Sequence, residues 1–133
     1  MRFHAQNGTL AIGDTTMDYI RFGSGQRHLI ILPGLGDGLR SVKGSALPMA
    51  MMYRPFSQSY TVWGFSRKNN LPEGCTTRDM ARDTAEAMDA LGIETADIFG
   101  VSMGGMVAQF LAVDFPEKVG RLVLAVTAAR PNP

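Results

Sequence analysis

The sequence predicts an α/β fold built on a mostly parallel sheet with helices on both faces. Three observations carry this. Leu29-Ile30-Ile31-Leu32, Tyr60-Thr61-Val62-Trp63-Gly64-Phe65 and Leu122-Val123-Leu124-Ala125-Val126 are predominantly apolar runs, the pattern of strands buried on both faces of a parallel sheet. Segments with apolar residues at helical spacing lie between them, and right-handed crossovers then place helices on either side. Finally, the stretch from Asp97 to Ala108 runs apolar, passes through Gly100-Val101-Ser102-Met103-Gly104, and becomes apolar again after Gly105. A strand that turns sharply into a helix has this form.

The elements follow in order. Phe3–Gln6 and Thr9–Ile12 flank Asn7-Gly8, a two-residue hairpin signal. Thr15–Phe22 reads as the next strand of an antiparallel opening, with Met17 and Tyr19 on one face and Phe22 a further candidate for it. Gly23-Ser24-Gly25 is a turn. After Leu29–Leu32 comes the glycine-rich loop Pro33-Gly34-Leu35-Gly36-Asp37-Gly38, whose N–H groups could converge on one ligand atom. A phosphate loop would require a Gly-Lys-Ser/Thr ending, which is missing here. Ser45–Tyr53 holds a helix with Pro48 near its start, ended by Pro55. Tyr60–Phe65 is a strand and Ser66–Gly74 a polar loop. Thr76 or Thr77 caps a helix on which Met80, Thr84, Ala87, Met88 and Leu91 face the sheet, and Gly92 ends it. Thr95–Val101 is the strand into the turn, Met103–Phe115 the helix after it, and Leu122–Val126 the last strand.

Composition narrows the classes. A chain of 133 residues suits one domain, here residues 1–133. Apolar residues make up 45% and charged residues 19%, with a net charge of +1, so nothing in the balance favours nucleic acid or an acidic membrane. No window reaches the ~18 uninterrupted apolar residues of a membrane span. The single cysteine, Cys75, and an N-terminal Met1-Arg2-Phe3-His4 without an apolar leader fit a cytoplasmic setting. No His, Cys, Asp and Glu cluster has metal-ligand spacing, so neither a metal nor another cofactor is expected.

Gly-x-Ser-x-Gly alone is a weak signal. Its strand-to-helix context strengthens it, because a nucleophile elbow needs small residues on either side of a strained central serine. Gly100 and Gly104 supply them, and Ser102 would project its hydroxyl from the tip. The helix that starts at once turns its free N–H groups and positive dipole end to the same spot. A plain helix cap at Ser102 is the rival reading, but a cap alone does not call for glycine at 100, 104 and 105.

This order of parts resembles the α/β-hydrolase family over essentially the whole chain. The likeness covers the antiparallel opening, Leu32-Pro33-Gly34-Leu35-Gly36-Asp37-Gly38, Trp63-Gly64, the elbow Gly100–Gly104 and Phe115-Pro116-Glu117-Lys118-Val119. The resemblance implies Ser102 as nucleophile, and the backbone N–H groups of Met103 and Leu35 as the oxyanion hole. Pro33-Gly34 stands where the family usually has His-Gly; a main-chain donor does not depend on that histidine. The family's order is Ser, then Asp or Glu, then His, which implies an acid and a base beyond residue 133 and an incomplete fold, its N-terminal half. His28 begins its strand and His4 lies in the opening, so neither is expected to be the base. Asp37 is expected to stabilise its own turn, and Asp97 to sit at the far end of the elbow strand.

The reaction implied is acyl hydrolysis, most simply of an ester, on a small-molecule acyl substrate. C–C hydrolysis, peptidase, lyase or perhydrolase chemistry stays open on the same fold, as does a non-catalytic binding subunit. A serine at the elbow argues against relatives that use aspartate there. Because Leu122–Val126 is apolar on both faces, a partner is expected at that strand, either the C-terminal half of the same protein or a second copy.

Overall fold

A computed structural model describes residues 6–13, 15–32, 59–68, 74–101 and 103–125, without the side chains of 66–68. Six strands and two α-helices are present among them: β1 Gln6–Ile12, β2 Thr15–Gly23, β3 Arg27–Leu32, β4 Tyr60–Lys68, α1 Thr77–Leu91, β5 Ala96–Val101, α2 Met103–Asp114 and β6 Val119–Ala125. A short 3₁₀ turn, Pro116–Lys118, leads into β6. The sheet order is β1-β2-β4-β3-β5-β6. β1, β2 and β4 pair antiparallel, and β4, β3, β5 and β6 pair parallel. The fold is the mixed α/β sheet expected.

The opening hairpin corrects the sequence reading. Asn7 and Gly8 are not its turn; they lie inside β1, opposite Ile20 and Tyr19. The reversal follows Ile12, because Ile12 pairs with Thr15 and Gly13 takes the left-handed φ of 63°. Gly8 fits a strand because the Tyr19 ring covers it from across the pair, in the space a Cβ would need. β4 is also longer than expected. It runs to Lys68, into the segment read as loop, because its end pairs with Met17 across an irregularity in β2.

Both described helices pack on one face of the sheet. Ile30, Leu32, Trp63, Phe65 and Ile98 meet Ala81, Ala85, Met88, Val107, Ala108 and Leu111 there. Ile20, Phe22, Leu29, Ile31 and Val62 form a second cluster on the other face. Phe22 therefore does not join Met17 and Tyr19, since an even position lies on the opposite side of the pleat. The helix read at Ser45–Tyr53 lies outside the described residues.

α1 is stopped at both ends by local chemistry. The Thr76 hydroxyl accepts from Asp79 N–H, and the Asp79 carboxylate accepts from Thr76 N–H, a reciprocal capping box. At the other end Gly92 takes φ 75°, and Ile93 N–H reaches back to the Met88 carbonyl at 2.8 Å. Lys118 pairs with Asp89, joining the end of α1 to the turn before β6.

Candidate active site

The site is positioned by how β5 ends. β3 and β5 are adjacent parallel strands with Leu32 in register with Gly100. β3 and β5 therefore end at the same sheet edge, at Leu32 and Val101. β5 stops at Val101 and α2 starts at Met103. The chain changes from strand to helix across a single position, residue 102. Ser102 lies outside the described residues, as do Leu35 and Asp37.

Gly100 makes this reversal possible through space, not through strain. Its φ is not among the positive values of the described glycines. A Cβ on Gly100 would meet the Gly104 carbonyl oxygen at 2.7 Å, Gly105 Cα at 2.7 Å and Ala108 Cβ at 2.9 Å. The first turn of α2 thus lies directly against β5, and Gly104, Gly105 and Ala108 are all buried there. Larger residues at these positions would push the helix away. The sequence reading asked for small residues on either side of the serine; the structure supplies the contact that demands them.

Met103 is the first residue of α2, so its N–H has no acceptor within the helix. The same terminus carries the positive end of the helix dipole. Such a donor suits an oxygen on which negative charge develops.

Among the described residues the candidate base His28 does not reach this edge. His28 sits four positions before Leu32 along β3, about 13 Å at ~3.3 Å per residue. Its Nδ1 accepts a hydrogen bond from Trp63 Nε1 at 3.0 Å. Burial, and then the Arg21 charge, hold its pKa below the ordinary 6.5. Its ring is thus engaged at Trp63, remote from residue 102. His4 lies outside the described residues.

Asp97 lies near the start of β5, as the sequence suggested, but its surroundings were not foreseen. Its buried carboxylate accepts from Tyr60 Oη at 2.6 Å, Arg27 Nη2 at 3.0 Å and Arg121 N–H at 2.9 Å. Burial pushes its pKa up. The Tyr60 and Arg121 hydrogen bonds, with the charges of Arg27 and Arg121, outweigh burial and leave it below the ordinary 3.8. Tyr60 is shifted up, first because its hydroxyl donates to Asp97. Gly120 belongs to the same unit, since a Cβ there would meet Asp97 Oδ1 at 2.6 Å. No sequence signal brings these residues together, because 70, 37 and 24 positions separate Asp97 from Arg27, Tyr60 and Arg121. Among the described residues, no group of three or more His, Cys, Asp or Glu could hold a metal ion. No described helix is long and apolar enough to cross a membrane.

An edge formed by parallel strands, with a strand-to-helix turn packed glycine against glycine, defines a class. The model of the alpha/beta hydrolase fold family matches residues 27–133, and the chain belongs to that family. Among curated proteins it is similar to the 3-oxoadipate enol-lactonase 2 of Acinetobacter baylyi, 31% identical, over 96% of this chain and 47% of that protein. It is 47% identical over 58 residues to the homoserine O-acetyltransferase of Thermus thermophilus, covering 44% of this chain and 15% of that protein. A crystal structure of a hydrolase from Pseudomonas aeruginosa superposes with a TM-score of 0.79 at 27% identity, over 96% of this chain and 48% of that one. The chain thus spans at most about half the length of these relatives.

Proposed function

We propose that residues 1–133 carry the nucleophile and oxyanion hole of a serine hydrolase acting on an ester or related acyl bond of a small molecule. The observation that supports this most is the turn from β5 into α2 across position 102, held close by Gly100 against Gly104 and Gly105. The register of Leu32 with Gly100 ends β3 at the same edge, immediately before the glycine-rich sequence 33–38. A lactonase and an O-acetyltransferase among the relatives support acyl chemistry at oxygen.

In this reading Ser102 Oγ attacks the substrate carbonyl carbon and gives its proton to a base. The carbonyl electrons move to oxygen, and that oxyanion accepts hydrogen bonds from the N–H groups of Met103 and Leu35. These bonds strengthen as charge develops, so they lower the barrier instead of merely holding substrate. The C–O bond to the leaving group breaks, the base returns the proton to the departing alcohol, and an acyl-enzyme remains. Water repeats the sequence, frees the acid and restores Ser102. The base is a histidine oriented by Asp or Glu, both from outside residues 1–133, since His28 is engaged by Trp63 far from the edge.

The test is hydrolysis of p-nitrophenyl acetate by residues 1–133 joined to a segment that supplies those two groups. Ser102→Ala is expected to lower turnover by about 10³-fold or more. Turnover unaffected by Ser102→Ala would overturn the proposal.

A further inference from the structure

We infer that His28 and Trp63 form an acid-released latch across the seam where the antiparallel part of the sheet meets the parallel part. β4 is that seam, antiparallel to β2 on one side and parallel to β3 on the other. Trp63, the chain's only tryptophan, stands on β4 and is 7% exposed. Its ring meets both neighbouring strands. On the β2 side Arg21 is its register partner and sets its guanidinium carbon 5.5 Å from the indole centroid, with the Tyr19 ring 5.8 Å away. On the β3 side Trp63 Nε1–H donates to His28 Nδ1 at 3.0 Å. β2, β4 and β3 each have a described strand on either side, so the latch does not depend on what lies beyond β6.

The chemistry of the two rings makes this bond conditional. An indole nitrogen can only donate, so His28 Nδ1 must offer its lone pair, and a neutral imidazole then carries its proton on Nε2. A proton taken up from solvent goes to that Nδ1 lone pair. It turns the acceptor into a second N–H aimed at the indole N–H, and the hydrogen bond breaks. The indole nitrogen of a buried tryptophan then loses its acceptor. Charging is opposed first by burial of the imidazole and then by the Arg21 guanidinium of β2, which together hold the His28 pKa below 6.5. Among the described residues the other neighbouring elements bring no charge that offsets this. β4 meets His28 with Thr61 and Trp63. Arg27, Tyr60 and Asp97 bind one another on the opposite face, where Leu29, the register partner of Asp97, is packed. On α1, Asp83 is buried and Glu86 and Asp89 are exposed, and none of the three acts on His28. The latch does not rest on the catalytic reading, because Ser102 plays no part in it.

The test is a titration of the ¹⁵N-labelled protein across pH 4–7, read by NMR with circular dichroism in parallel. At pH 7 the imidazole nitrogen shifts are expected to place the His28 proton on Nε2 and leave Nδ1 bare. The Trp63 indole N–H signal is assigned by its loss in Trp63→Phe. As the pH falls it is expected to move with one midpoint below 6.5, the same midpoint at which Nδ1 takes its proton. His28→Asn sets an Oδ1 acceptor at the place of Nδ1 and cannot titrate, so its indole signal is expected to stay flat. Nδ1 protonated at pH 7 overturns the inference. So does an indole signal that ignores the His28 titration, that moves only as circular dichroism reports unfolding, or that titrates equally in His28→Asn. The wild-type titration is decisive by itself, so the inference stays exposed to refutation even where the variant does not fold.

Discussion

Near its start β5 carries Asp97, whose buried carboxylate is tied to Arg27 of β3, Tyr60 of β4 and the Arg121 backbone of β6. Three residues later it carries Gly100, which has no side chain and lets the backbone of α2 lie against it. The first end is held by charge-assisted hydrogen bonds and lies among fully engaged groups. The second is held by close packing and leaves backbone donors at the start of α2 without an acceptor inside the helix. A strand satisfied at one end and open at the other separates stability from chemistry. Polar residues near the Asp97 end hold strands in register, while the proposed chemistry belongs to the edge where β3 and β5 end at Leu32 and Val101.

This division can be broken from either side. The largest expected effect on stability is that of Asp97→Ala, which removes the acceptor shared by Tyr60, Arg27 and Arg121 N–H. A loss of about 3 kcal/mol is expected from these charge-assisted bonds, read as a lower urea midpoint at unchanged slope. Gly100→Ala is expected to remove about 2 kcal/mol, because its Cβ must displace the first turn of α2. In a chain active on p-nitrophenyl acetate it should also lower kcat. Asp97→Ala, assayed below its melting range, should leave kcat largely intact. Tyr60→Phe, which deletes one hydrogen bond to a charged group, should remove about 1.5 kcal/mol.

Acid titration probes the Asp97 end of the sheet further. The Asp97 pKa is depressed in the folded state, so its contribution is complete above the unfolded value of 3.8 and is lost as the pH falls through its lower folded value. His28 is depressed below 6.5, so the unfolded chain takes up its proton first and stability declines as the pH falls from 6.5 through the folded value. The small loss of stability as the pH falls below 6.5 should vanish in His28→Gln, measured by the melting temperature across pH 4–7.

Much of the frame was legible because it depends on local chemistry. The Thr76 cap, the Gly92 stop and the change from apolar run to glycine-flanked serine are each decided within a few residues. The Asn7-Gly8 turn was misread because a glycine in β1 is made favourable by Tyr19 on another strand, which no local pattern reveals. The Asp97 network escaped for the same reason, its partners converging only when the sheet assembles. β6 ends the sheet among the described residues, with Leu122, Val123 and Leu124 exposed, so the partner that its apolar run leads one to expect is not among them.

The most direct measurement of the central claim is covalent labelling with a fluorophosphonate, located by peptide mass spectrometry. It is applied to residues 1–133 joined to a segment bearing the Asp or Glu and the His. The account predicts a single adduct on Ser102, retained in Asp97→Ala while folded and strongly reduced in Gly100→Ala. An adduct on another residue, or labelling of Ser102 that Gly100→Ala leaves untouched while Asp97→Ala abolishes it in a folded protein, would contradict it.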